Sequence, residues 1–289
     1  MSIQRIEAIP TLPKRPLDSN KGMYGTVLVV AGGRGMGGAA ALVGAGALRS
    51  GAGKVKIACP SEVQPTVASF DPCYMAYPLP CDNEGLIRFP AARVVLEQLL
   101  EGADVLAIGP GLGRSEAIRE LVRWAVDAVD VPTVVDADAL NALVGQTEIL
   151  RNLDRPVILT PHPGEFARLV GKPVAEVQAD RSNLAAAFAV HEHVVMVLKG
   201  NATVVTDGHR LYVNTSGNPG MATGGTGDVL GGVIAALLGQ TLPAFEAAVL
   251  GTYAHGLAGD IARDNSGEVG MTAGDLVDGL PDTFQHLAG

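Results

Sequence analysis

The chain has 289 residues, 47% hydrophobic and 4% aromatic, with a formal net charge of -9. That much apolar material fills one large α/β core or two modest ones and excludes intrinsic disorder. An acidic chain without a basic stripe is a poor partner for nucleic acid or anionic lipid, so a phosphate ligand must be held locally. Cys59, Cys73 and Cys81 are odd in number and lack close ligand spacing. This disfavours a disulfide framework and a zinc site, and fits a reduced, cytoplasmic protein. The N-terminus carries Pro10, Pro13 and Pro16 without a signal-peptide core, and the run from Gly37 to Leu48 is too short to span a bilayer.

In chain order, Met1 to Met23 read as an irregular proline-bearing arm, residues 1–20 forming the irregular N-terminal part of a single domain. It leads through Lys21-Gly22-Met23-Tyr24-Gly25 into a strand from Thr26 to Ala31. Gly33, Gly35 and Gly38 then satisfy the dinucleotide fingerprint before a helix that runs to Ser50. The next strand, Lys54 to Ala58, ends in Cys59-Pro60 where that fingerprint wants an acid, so it is only partly met. A helix from Ala91 to Glu101 precedes the strand Asp104 to Ile108 and a second glycine loop, Gly109-Pro110-Gly111-Leu112-Gly113. After a helix from Glu116 to Val129, the strand Pro132 to Val135 ends in Asp136-Ala137-Asp138. These carboxylates either position Mg²⁺ or a ligand, or Asp138 caps the next helix.

The strand Val157 to Leu159 ends in Thr160-Pro161-His162-Pro163-Gly164-Glu165, where two prolines stiffen the loop around the imidazole. His162 is either solvated or a ligand contact, and its place at the sheet edge favours contact. His191 and His193 close a predicted helix from Pro173 to Glu192, where the helix end explains them without a metal. The strand Val194 to Leu198 runs into Lys199-Gly200-Asn201-Ala202-Thr203, in which Lys199 can meet phosphate as a point charge. A hairpin of Thr203 to Thr206 and Arg210 to Val213 turns around Asp207-Gly208. It delivers the chain to Asn214 to Leu230, the stretch on which the rest is organised. There Gly224, Gly225 and Gly227 allow close backbone approach, and Asp228 stands where a helix from about Val229 to Leu238 should begin. Free N–H groups and the positive helix end attract phosphate, and the carboxylate can take a proton from an attacking hydroxyl. Helices from Ala244 to Ala262 and Ala273 to His286 finish the chain. The alternation predicts a three-layer α/β/α sandwich around one mainly parallel sheet.

With these residues in place, the chain resembles the ribokinase-like superfamily, and within it the ADP-dependent NAD(P)H-hydrate dehydratases. The markers are the Gly109 loop, Asp136 to Asn141, Thr160 to Glu165, Lys199-Gly200-Asn201, and Asn218 to Asp228, in that order along nearly the whole length. The resemblance implies one ribokinase-like domain over 1–289. It also implies repair of the S epimer of hydrated NADH or NADPH, with ADP converted to AMP and phosphate. Asp228 is the implied catalytic base. Ala40, Gly111, His162 and Asp228 line the hydrate side; Lys199, Gly200, Asn201, Ala202, Thr203, Gly225, Thr226 and Gly227 hold ADP or AMP. Mg²⁺, a homotetramer and a partner epimerase on another polypeptide are implied as well, because the arm before Lys21 is too short to be an epimerase domain. The alternatives are a ribokinase-like vitamin-precursor kinase using ATP and a nucleotide-binding regulator without turnover.

Overall fold

The computed structural model describes residues 3–287. Ten strands form one sheet: β1 Gln4–Ile6, β2 Thr26–Val30, β3 Lys54–Pro60, β4 Tyr74–Leu79, β5 Val105–Ile108, β6 Thr133–Val135, β7 Val157–Leu159, β8 Val195–Leu198, β9 Val204–Thr206 and β10 Arg210–Val213. Their order is β1-β10-β9-β8-β7-β6-β5-β2-β3-β4, and β9 alone among the described strands runs antiparallel to its neighbours. The inner strands are continuous apolar runs such as Thr26–Val30, buried at every residue, as expected where helices cover both faces of a parallel sheet.

Alternate residues of each strand enter opposite cores. Leu28, Val30, Leu106, Ile108, Val135, Leu159 and Leu198 meet α3 Phe89–Leu100, α4 Glu116–Ala128, α5 Asp138–Ala142, α6 Pro163–Val170, α7 Val174–Ala179 and α8 Arg181–Glu192. Val27, Val29, Val105, Ala107, Val134, Ile158 and Val197 meet α1 Gly37–Arg49, α2 Gln64–Phe70, α9 Thr226–Gly239, α10 Ala244–Ser266 and α11 Ala273–Leu287. The expected three-layer sandwich and mostly parallel sheet are therefore present.

Two local expectations are corrected. The arm is not wholly irregular: Gln4–Ile6 pairs parallel with Arg210 to Tyr212, because β10 would otherwise leave a bare edge. Met1 and Ser2, the start of that arm, lie outside the described residues. The helix predicted from Pro173 to Glu192 is two helices that break at Asp180, whose backbone (φ -144, ψ 54) is not helical. The edge strand Tyr74–Leu79 and the helix Gln64–Phe70 were not anticipated; Pro78 suits an edge strand, where a ladder donor is dispensable.

Helix α9 is buried almost throughout, wedged between the sheet, α1 and α10. It packs on α1 through glycines: a Cβ at Gly46 would lie 2.4 Å from the Val229 carbonyl oxygen, and one at Gly232 would lie 2.0 Å from that of Val43. These contacts are with backbone and cannot yield by a rotamer change. Gly232→Ala is therefore expected to cost about 1–3 kcal/mol, a fall in Tm of roughly 2–10 °C by calorimetry. Leu17→Ala, at a fully exposed position, should leave Tm within about 1 °C.

Candidate active site

The strand order reverses at β2 and β5: β3 and β4 follow to one side, β6, β7 and β8 to the other. The loops after β2 and β5 separate there and leave a crevice at the carboxyl ends of the strands. The two loops touch where Gly32 N–H donates to the Pro110 carbonyl at 2.7 Å. Gly109, at φ +135, passes so close to β6 that a Cβ would fall 1.8 Å from the Asp136 carbonyl oxygen, so only glycine fits. Asp138 is not the cap of α5; that position is Ala137, held at φ 52. The Asp138 carboxylate instead accepts the Gly113 N–H at 2.9 Å, which ties the β5 glycine loop to the end of β6.

Lys199 closes β8 and donates from Nζ to Asp136 Oδ1 at 2.7 Å, in a pair whose side chains are 19% and 3% exposed. Burial alone would lower the lysine's pKa, but Asp136, Glu165 and Asp228 outweigh it and hold it above the usual value. The other oxygen of Asp136, Oδ2, is buried and has no hydrogen-bond partner among the described residues.

Helix α9 begins at Thr226, earlier than expected, with Gly225 (φ 94) as its N-cap. Asp228 therefore lies within the first turn and is not the cap. Val229 N–H donates to the Gly225 carbonyl, so the N–H groups of Thr226 to Asp228 precede the first intrahelical bond and remain available to an anion. The Thr226 hydroxyl faces inward, donating to the carbonyls of Met221 and Thr223, and leaves only its backbone for a ligand. Gly227 lies over the lysine: a Cβ there would be 3.2 Å from Lys199 Nζ. The Asp228 carboxyl is pushed up to about 7 by burial first, then by the neighbouring Asp136, with Lys199 opposing.

At the end of β7, His162 stands half-exposed at the start of α6 and caps it. Its Nδ1 accepts N–H bonds from Gly164 (2.9 Å) and Glu165 (3.2 Å), while Glu165 Oε2 accepts the His162 N–H at 2.8 Å. The ring proton is thereby placed on Nε2, 3.3 Å from Glu165 Oε1. Gly111 is buried, with Met36 and Ala39 nearest to it. Ala40 is fully buried against Gly32; the alanine that faces the Gly111 loop is Ala39, one helical step away.

Sequence reasoning missed three supporting residues. Arg181, at the start of α8, donates to the carbonyls of Leu198 (2.9 Å), Lys199 (3.1 Å) and Asn201, and so shapes the loop of Gly200, Asn201 and Ala202. Thr203, which the sequence did single out, fastens the same loop from inside, its hydroxyl donating to the Gly200 carbonyl at 2.9 Å. His255 on α10 donates from Nε2 to the Thr226 carbonyl at 2.7 Å, and burial pushes its pKa down to about 4. Asp260 accepts Gly217 N–H and Asn218 Nδ2, strapping the approach to α9 onto α10. Only spatial proximity links these residues to the motifs.

The family model described as NAD(P)H-hydrate dehydratase matches residues 27–282. This chain belongs to the NAD(P)H-hydrate dehydratase family. A bifunctional NAD(P)H-hydrate repair enzyme of Moorella thermoacetica is 48% identical over 278 residues, 96% of this chain and 52% of its own length. The chain thus spans about half the length of the bifunctional relatives it matches. An ADP-dependent (S)-NAD(P)H-hydrate dehydratase of Bacillus subtilis is 38% identical over 279 residues, 96% of this chain and 95% of its own length. A crystal structure of an ADP/ATP-dependent NAD(P)H-hydrate dehydratase from Bacillus subtilis, co-crystallised with ATP and Mg²⁺, matches with a TM-score of 0.83. It is 35% identical and covers 96% of this chain and 95% of that chain. The expected ribokinase-like fold holds for this member of the dehydratase family.

Removing Arg181 would leave three loop carbonyls without their donor. Arg181→Met is expected to weaken nucleotide binding about tenfold, read as Kd by calorimetry, with much less effect on binding of the dinucleotide.

Proposed function

We propose that this chain returns the S epimer of hydrated NADH or NADPH to the working dinucleotide, converting ADP to AMP and phosphate. The observation that carries the reading is Asp228, a carboxyl in the first turn of α9 whose proton affinity is raised to about 7, next to Lys199 and free helix N–H groups. A base with a pKa near the working pH is suited to taking a proton from an alcohol.

In this mechanism the hydrate's hydroxyl oxygen attacks the β-phosphorus of ADP while Asp228 removes its proton. The bond from that phosphorus to the bridging oxygen breaks and AMP departs. The N–H groups of Thr226 and Gly227, with Lys199, face the charge that develops on the phosphoryl group. Phosphate is a better leaving group than hydroxide, so elimination follows, with loss of a proton from the adjacent ring carbon restoring the double bond. Gly200 to Thr203 and Gly225 hold the nucleotide on one side. Gly111, His162 and the alanines at the start of α1 border the dihydropyridine on the other.

Among the described residues, no group of three or more His, Cys, Asp or Glu side chains could hold a metal. The residues fit Mg²⁺ arriving on the nucleotide's phosphates, with Asp136 Oδ2 the buried, unpartnered oxygen that would meet it directly or through water. Bound there, the ion would neutralise phosphoryl charge. The proposal extends to a cytoplasmic homotetramer that works with an epimerase activity. The names of the bifunctional relatives support the epimerase, and among the described residues no helix is long and apolar enough to cross a membrane.

Incubation with hydrated NADH, ADP and Mg²⁺ is expected to restore the nicotinamide absorbance, with one AMP and one phosphate formed per dinucleotide. Accumulation of a stable phosphate ester made from ATP, or no recovery, would overturn the reading. Asp228→Asn keeps the shape and removes the base, so kcat should fall about a hundredfold or more. In the wild type, kcat/KM should rise about tenfold per pH unit towards neutrality and level off above about 7, as Asp228 ionises. Stability moves the other way. Between the unfolded value near 3.8 and the folded value near 7, the native state holds the proton more tightly, so this group's contribution is lost as pH rises. Asp228→Asn should accordingly raise Tm at pH 8 by roughly 2–4 °C and change it little at pH 4.

A further inference from the structure

A cavity of about 410 Å³ opens behind the Gly113–Asp138 contact, with Arg114, Arg119, Asn141 and Arg168 in its wall. Three guanidinium groups gathered at one cavity are unusual for a chain of net charge -9. The ion pairs that two of them make within the chain are long and solvent-exposed. Arg114 comes no closer than 4.0 Å to Asp138, and Arg119 no closer than 3.7 Å to Glu116. Arg168 engages only Nε, donating to Asn141 Oδ1 at 2.9 Å, so most of the fork donors have no partner among the described residues. The N-terminus of α4, a 13-residue helix capped by Ser115, contributes its positive end to the same wall.

The cavity neighbours the proposed hydrate half of the site through Gly113 and Asp138. Gly113 belongs to the loop that carries Gly111, and its N–H is held by Asp138. Arg168 lies on α6, the helix capped by His162, with Nη1 3.9 Å from where a Cβ on Gly164 would stand. The nucleotide loop at Lys199 lies at the end of β8, beyond β6 and β7 in the sheet. An anion in this cavity is therefore an extension of the dinucleotide and not of ADP. A phosphate monoester is a dianion with three terminal oxygens and matches several guanidinium forks. The pyrophosphate bridge has one charge per phosphorus and is common to both substrates.

We propose that Arg114, Arg119 and Arg168 receive the phosphate monoester on the adenosine ribose of hydrated NADPH, and make the chain selective for it over hydrated NADH. The inference rests on the dehydratase reading. Wild-type kcat/KM is expected to favour the NADPH hydrate by about tenfold or more, and Arg114→Gln/Arg119→Gln to bring the ratio to within about threefold of one. Arg168→Lys keeps the charge but loses the fork, and should lower the ratio independently. Equal wild-type rates on the two hydrates, or variants that slow both equally and leave the ratio intact, would overturn the assignment. If neither hydrate turns over, the dehydratase reading falls, and calorimetry with NADPH and NADH decides the subsite separately. Tighter NADPH binding that the double variant abolishes sustains it; equal binding removes it.

Discussion

The ion pair between Lys199 and Asp136 is the contact on which the site depends. It joins the ends of β8 and β6, two strands apart from each other only by β7, with almost no water to screen it. A pair in such surroundings gains little net energy over an apolar contact, so its value lies in what it fixes. It fixes the lysine beneath the first turn of α9, and it sets one cation among the carboxylates of Asp136, Asp138, Glu165 and Asp228. With more acids than bases in the group, an added proton is retained readily, and Asp228 is the carboxyl raised to about 7. The same imbalance repels a bare nucleotide phosphate. A nucleotide that brings Mg²⁺ enters with the opposite electrostatics, which connects the proposed metal requirement to the acidity of the site.

The topology would then separate the two proposed ligands along one sheet edge. Loops after β2, β5, β6 and β7 border the crevice at the reversal of strand order, where the dihydropyridine is proposed to lie. Because β9 turns back antiparallel, the Lys199 to Thr203 turn is short and stays at that same edge, fastened by Arg181. Strand β10 runs parallel to β8, so it too ends at this edge, and the chain crosses from Asn214 to Gly225 over α10 before entering α9. The donor and acceptor of the proposed phosphoryl transfer would thus meet at Asp228.

Much of this was readable in the sequence, and what was not has a physical reason. Apolar runs such as Val157–Leu159 and Val195–Leu198 have the length and flanking turns of buried strands, and each ends where the motif residues begin. The glycines before α9 announced a close backbone approach. The start of α9 was placed too late because Thr226 and Gly227 are indifferent helix formers, and their helical state is imposed by packing on α1 and by the hydroxyl of Thr226. The capping role of His162 was hidden because histidine is an uncommon cap, and the box shows only once Glu165 reaches back to it. Arg181 and His255 act on backbone carbonyls far from them in sequence, and no spacing rule encodes that.

His255 shows how closely the support of Asp228 is constrained. Its Nε2–H satisfies the Thr226 carbonyl, which an apolar residue would leave without that donor. A lysine could supply a donor too, but it would bring a fixed positive charge beneath the first turn of α9 and pull the carboxyl below the range where it serves as a base at neutral pH. Histidine avoids both faults because burial holds its pKa near 4, so it remains an uncharged donor across the whole interval in which Asp228 titrates. The support carries its own limit. As pH falls from 6.5 towards 4, an unfolded chain would protonate this histidine while the folded one does not, so its contribution to stability is lost on acidification. The Asp228 contribution is lost on the alkaline side of nearly the same interval. The two groups of one turn therefore oppose each other in pH, and their sum is flatter than either alone.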